Sequence, residues 1–325
     1  MRFLQSIVRP LTAWAASTAV APIDLPVNPL SLLLLRLQIT NINPNALLLY
    51  SAIEDVVDNV TSIIVKHKGE NIMQGSLRDL MVLNMLLGKR FPHWDRLTNA
   101  SGGIRSITFP LGFSRREFDP IEAFPATSRG NLTLEMARGA DPASLSALSF
   151  SIEAVELIEA TPKQYIKATT MSQTAVVGSY DQSLPIGNPL LALLFFDTAL
   201  ATLNTLTSSW GAVKLLKDNI EQYYPLSDAQ VLAGMMGVHL GQWAEGFPSH
   251  VHQYDDGAAL EVADDAHHPV STGMRGYFAM NFDPLGDGSY ALETAGAADV
   301  KVRAVGTSAT PVRVLPVELV PVKAG

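Results

Sequence analysis

The chain has no cysteine among its 325 residues, which excludes disulfides, thiolate nucleophiles and cysteine-based zinc sites. Charge is sparse: 17% of residues are charged against 47% hydrophobic, a balance that excludes a disordered chain. Cations are scarcer still, 23 Lys and Arg against 31 Asp and Glu for a net charge of −8. No basic field exists to grip nucleic-acid phosphates, so no direct nucleic-acid partner is expected. Long apolar runs are missing as well. Leu30 to Leu37 is broken by Ser31 and Arg36, and Leu190 to Phe196 stops at Asp197, short of the roughly 18–20 residues of a membrane-spanning helix. No serine sits in a Gly-x-Ser-x-Gly elbow, and Asp255-Asp256-Gly257 and Asp287-Gly288 lack the spacing of a calcium loop.

What is present is a repeat. Leu25-Pro26-Val27-Asn28-Pro29-Leu30 returns as Leu184-Pro185-Ile186-Gly187-Asn188-Pro189-Leu190, each running into an apolar stretch. Val65-Lys66 and Asn71-Ile72 return as Val213-Lys214 and Asn219-Ile220. The Val82 to Gly88 segment returns as Val231 to Gly237, Gly103-Ile104-Arg105 as Gly273-Met274-Arg275, and Val155 to Ile158 as Val317 to Val320. The order is kept throughout, which predicts two copies of one fold. In each half, strands come first, over Leu30 to Thr40 and Val60 to Val65, then over Leu190 to Ala199 and Leu206 to Leu216. A helix follows, with Ser76 and Ser227 as N-caps and a buried stripe from Leu80, Leu83, Leu86 and Leu87, or from Val231, Leu232, Met235 and Met236. Short strands separated by Gly, Pro, Asn and Asp complete each half. Many short strands around one helix predict an all-β chain of two tandem β-sandwiches.

The expected organisation is an N-terminal arm over residues 1–24, a first sandwich over 25–165, a polar linker over 166–183 and a second sandwich over 184–325. The second carries a long acidic insert over 238–272, expected to project into solvent, where the first has only the loop 89–102. In the arm, Phe3, Leu4, Ile7, Val8, Leu11 and Trp14 recur at helical spacing beside Arg2 and Arg9. The pattern predicts an amphipathic helix or arm, lying on a membrane surface or on a neighbouring subunit. Arg9-Pro10 interrupts what would otherwise pass for the apolar region of a secretory signal.

Together these features resemble the double-jelly-roll major capsid proteins of tailless icosahedral viruses, in particular of bacteriophages with an internal membrane. The residues that carry the resemblance are Val65 to Ile72 turning into Leu77-Arg78-Asp79-Leu80, then Phe109-Pro110-Leu111, Ala123-Phe124-Pro125-Ala126 and Asn131 to Glu135. The resemblance implies two upright jelly rolls and a homotrimer imitating six corners. It also implies contacts with neighbouring capsomers and with other virion proteins such as a vertex protein. The arm (Arg2, Phe3, Leu4, Ile7, Val8, Arg9, Leu11, Trp14) would face inward, toward a membrane or a neighbour, in a virion shell made in the host cytoplasm. No cofactor and no enzymatic activity are implied.

Two other readings compete. His250-Val251-His252 with Asp256 partly resembles the cupin metal motif, which would make the chain a bicupin-like metal-dependent enzyme. Asp256 stands where that motif has Glu, however, and Gly246 is misplaced. A sandwich-type carbohydrate-binding or attachment protein would use exposed aromatics, for which Trp210, Trp243, Tyr223 and Tyr224 are the candidates. Trp210 and the tyrosines lie near the strand-to-helix region, where core positions are expected.

Overall fold

The computed structural model describes residues 2–41, 53–90, 92–94, 103–142, 145–198, 208–240 and 276–322. The chain divides into two compact units, one built on Met1–Ile166 and the other on Lys167–Gly241 and Met274–Pro321.

The first unit contains β1 (Arg2–Ala13), β2 (Ala19–Asp24), β3 (Leu30–Asn41), α1 (Ile53–Asn59), β4 (Ser62–His67), β5 (Glu70–Gly75), α2 (Leu77–Gly88), β6 (His93–Trp94), β7 (Ile104–Gly112), β8 (Leu132–Ala137) and β9 (Leu145–Ile158). One sheet runs β1-β9-β3-β7-β6. The other runs β5-β4-β8-β2, and the pairings are antiparallel in both. Apart from the consecutive pairs β4–β5 and β6–β7, neighbours in space are distant in sequence, as in a jelly roll. The period-two rule places Leu33, Leu35, Leu37 and Ile39 on the core face of β3, all at most 1% exposed, while Arg36 points out. Each such side chain contributes about 1.5–3 kcal/mol by leaving water.

The second unit contains β10 (Gln164–Thr169, where the chain leaves the first unit), β11 (Met171–Thr174), β12 (Gly178–Ser183), β13 (Leu190–Asp197), β14 (Ala212–Lys217), β15 (Ile220–Asp228), α3 (Ala229–Leu240), β16 (Tyr277–Asn281), β17 (Val300–Gly306) and β18 (Pro311–Pro321). Its sheets run β16-β13-β18-β11 and β12-β17-β14-β15. Between them Phe195 stacks on Phe278 at 4.7 Å and meets the edge of fully buried Trp210 at 4.9 Å. Trp210 is therefore core, not a ligand platform. The chain is all-β, built of two jelly rolls.

The repeat extends to individual hydrogen bonds. Asn28 Nδ2 donates to buried Glu156 Oε2 at 2.7 Å, and Asn188 Nδ2 to buried Glu318 Oε2 at 2.8 Å. Leu30 exchanges backbone bonds with Phe124 as Leu190 does with Leu292. Leu157 N donates to Pro29 O and Leu319 N to Pro189 O. β3 and β13 carry the same bulge, after Leu30 and after Leu190. Two of the sequence echoes are out of register. The turn bonds Lys68 N to Asn131 O and Asp218 N to Asp299 O equate Val65 with Leu215, two residues beyond Val213. A slip of two leaves every side chain on its original face, so the apolar pattern still matched. The helices are out by three. Ser76 caps α2 with a reciprocal capping box to Asp79, whereas Asp228 Oδ1, not Ser227, accepts from the first turn of α3 through Gln230 N at 2.7 Å. The Gly273-Met274-Arg275 echo lies wholly outside the described residues.

Two expectations change. The arm holds no helix: residues 2–13 form β1 along β9, from Arg2↔Ile158 to Ala13↔Ser149. The segment expected as a linker holds β10 to β12, with β11 on β18 and β12 on β17. Arm and linker are the corresponding opening strands of the two jelly rolls, since β2 lies on β8 as β12 lies on β17.

Candidate assembly surfaces

Two surfaces stand apart from the cores. The first is β1. As the end strand of its sheet it pairs on one side only, and Phe3, Leu4, Ile7 and Leu11 are 46–71% exposed. Pro10 has no N–H to give a ladder, and the register shifts between Ile7 and Arg9 and between Arg9 and Thr12 accommodate it, as proline is accommodated at a sheet edge. Ser6 Oγ donates to Glu156 Oε1 at 2.5 Å, which ties the strand to the repeated Asn–Glu pair. Phe3 meets Phe118 edge-on at 5.2 Å. Of the eight residues expected to make contacts, Arg2 and Arg9 are also exposed and Val8 is half-buried. Trp14 is not a contact residue. It is 5% exposed, tilted against Phe150 at 5.1 Å, and its Nε1 donates to Thr18 O.

The second surface joins β15 to α3. Opposite Lys214, the residues Tyr223 to Leu226 loop out of the ladder between the pairs Val213↔Ser227 and Leu215↔Gln222. Tyr223 has φ 45 there, and Ile220, Tyr223 and Leu226 are left exposed. α3 buries Ala229, Leu232, Met236 and Leu240. Its opposite face, Val231, Gly234, Met235 and Val238, follows the i, i+3, i+4, i+7 pattern of one helix side and is exposed. The expected buried stripe of Val231, Leu232, Met235 and Met236 is therefore split, with only its second and fourth members in the core. In the first unit the corresponding α2 buries ten residues, Leu77 to Leu86.

Elsewhere among the described residues, Asp181, Tyr180 and His67 are held by structural contacts. Asp181 accepts two hydrogen bonds from Arg303, at 2.7 and 2.8 Å, which hold its carboxyl below the usual carboxylate range. The Tyr180 hydroxyl donates to Ser209 O, and burial raises its pKa. Burial beside Phe124 lowers the pKa of His67, with Lys68 adding to the effect. Among the described residues no group of three His, Asp or Glu is placed to hold a metal. His250, His252 and Asp256 lie outside the described residues, as do Trp243 and most of the 238–272 insert. The first residues of that insert belong to α3, where His239 Nε2 lies 2.9 Å from Asn281 Nδ2. Tyr224 is half-buried, with its hydroxyl on Asn281 O.

One residue that sequence reading passed over organises the second unit. Asp197, which ends an apolar run, is fully buried. Its Oδ2 accepts from Ser208 Oγ at 2.6 Å, Ser209 N at 2.7 Å and Trp210 N at 3.1 Å. The corresponding residue of β3 is apolar Leu37, also fully buried.

No protein-family model matches the chain, and no curated protein matches its sequence. Solved structures do match. The major capsid protein P2 of bacteriophage PM2 is similar over 100% of this chain and 99% of its own, with a TM-score of 0.60 and 12% identity. The STIV major capsid protein, of Sulfolobus Turreted Icosahedral Virus, is similar over 98% and 97%, with a TM-score of 0.65 and 15% identity. The Faustovirus major capsid protein is similar over 99% and 89%, with a TM-score of 0.53 and 9% identity. The chain shares the double-jelly-roll fold of these proteins.

Proposed function

We propose that the chain is the major capsid protein of an icosahedral virus, assembling as homotrimers whose six jelly rolls form pseudo-hexameric capsomers. The observation that carries this reading is the end-to-end likeness to capsid proteins: both jelly rolls are matched, and little of either chain is left over. A duplicated chain suits the task because three copies supply six similar corners under closed cyclic symmetry. The role is structural, in the virion shell, with its own copies and adjoining virion proteins, such as a vertex protein, as partners. Of the two partners expected for the N-terminal strand, a neighbouring subunit is favoured over an internal membrane. A strand held along β9 does not present the single immersed face of an interfacial helix. The 238–272 insert is assigned to the outer face, on its acidity alone.

Imaging the purified protein by negative-stain electron microscopy tests the proposal. Six-cornered particles built from three chains are expected, and a population of isolated two-lobed molecules at every concentration would overturn it. Metal analysis of the parent and of a His250→Ala, His252→Ala double variant tests the metal-enzyme alternative. Stoichiometric metal lost in the variant would restore that reading.

A further inference from the structure

We propose that β1 of one copy docks on the β15–α3 surface of the next, so that the capsomer closes through a head-to-tail contact between two unlike faces. The inference rests on the capsid reading for its occupant, a second copy of this chain, and adds which surfaces meet.

Four observations converge. First, the exposed apolar residues of both surfaces lie where the two jelly rolls differ. The opening strand of the first unit is exposed, whereas β10 buries Ile166 and Ala168; the helix of the first unit is buried, whereas α3 leaves Val231, Met235 and Val238 open. Each face that one jelly roll covers, the other leaves open. Second, the charges are complementary. β1 carries Arg2 and Arg9 and no acid, while β15 carries two acids and no base: Glu221, bridged to Lys214 of β14 at 2.9 Å, and exposed Asp228 at the start of α3. Third, both are end strands of their sheets, and long, apolar, unpaired edges invite partners. Fourth, Gly234 lies in the middle of the exposed helix face, and a Cβ added to it meets nothing within 4 Å, as at Gly237. Among the described residues nothing requires these glycines, which are poor helix formers. A smooth helix face suits close approach by another molecule. Because the two faces are unlike, the contact is heterologous and propagates in one direction until a ring closes.

The absence of cysteine allows a clean test. Chains carrying Ile7→Cys and chains carrying Met235→Cys, with different tags, are co-expressed, oxidised and separated under non-reducing conditions. The expected result is a disulfide between the two differently tagged chains, with little self-linking of either variant alone. Met235→Cys chains linking mainly to each other would overturn the proposal in favour of a two-fold contact. An intact trimer with no cross-link would overturn it while leaving the capsomer reading standing, whereas monomers throughout would sink the capsomer reading itself. As a second variant, Met235→Glu on the exposed face is expected to lower trimer yield at least tenfold, with the circular dichroism of the folded chain unchanged. Normal trimer yield from that variant would also count against the contact.

Discussion

Replacing Asp197 by alanine should cost the second jelly roll a large part of its stability. The side chain is fully buried and takes three donors on one oxygen: a serine hydroxyl and the backbone N–H groups of Ser209 and Trp210. Ser208 Oγ has a second partner, accepting from Gly211 N at 2.8 Å, so its loss is softened. The two backbone donors belong to fully buried Ser209 and Trp210. Each buried unsatisfied N–H costs about 1–3 kcal/mol, giving on the order of 2–6 kcal/mol for Asp197→Ala. Asp197→Asn keeps an acceptor oxygen but loses its charge, and the weaker bonds cost about 1–2 kcal/mol. The assay is equilibrium urea unfolding of the dissociated chain, with the midpoint shown to be independent of protein concentration so that assembly does not contribute. An Asp197→Ala midpoint corresponding to less than about 1 kcal/mol of destabilisation would refute the claim that this carboxylate holds the turn into β14.

Three further outcomes are expected. Asn28→Ala and Asn188→Ala should each destabilise by about 1–3 kcal/mol, because each removes the amide donor from a buried glutamate in corresponding places, with Asn28→Ala the milder since Glu156 keeps the Ser6 hydroxyl; urea midpoints differing severalfold between them would deny the equivalence. Stability should fall as pH drops below about 6.5, since unfolded His67 binds a proton there while the folded ring, its pKa lowered by burial, resists until lower pH; a His67→Gln variant should lose that part of the acid slope in thermal melts. Gly234→Ala should stabilise the dissociated chain by up to about 1 kcal/mol through helix propensity, yet weaken assembly, as read by melting and by sedimentation at several concentrations.

The parts of the fold legible in the sequence were those where burial imposes a period. β3 and β13 alternate or run apolar because one or both faces meet a core, and Ser76 with Asp79 marks a helix start by its own chemistry. The Asn–Glu pairs lay within two of the quoted echoes, though their contact was not visible. What escaped was the edges. β1 is buried on neither face, so nothing forces period two, and Phe3, Ile7 and Leu11 fit a helical spacing equally well. β11 and β12 alternate only between exposed and half-buried positions, and their polar residues read as a linker. Val231 and Met235 were expected in the core because an apolar helix side normally faces inward. In the structure that side of α3 is exposed instead, with Val231 at 61% and Met235 at 58%. Asp197 was taken for the end of a run because the donors that stabilise it lie more than ten residues further on.

Measuring the native mass of the expressed chain tests the central claim most directly. A concentration-stable particle of three times 35.0 kDa is predicted, the smallest ring in which a duplicated jelly-roll chain presents six corners. A monomer of 35.0 kDa that persists across all concentrations would contradict it.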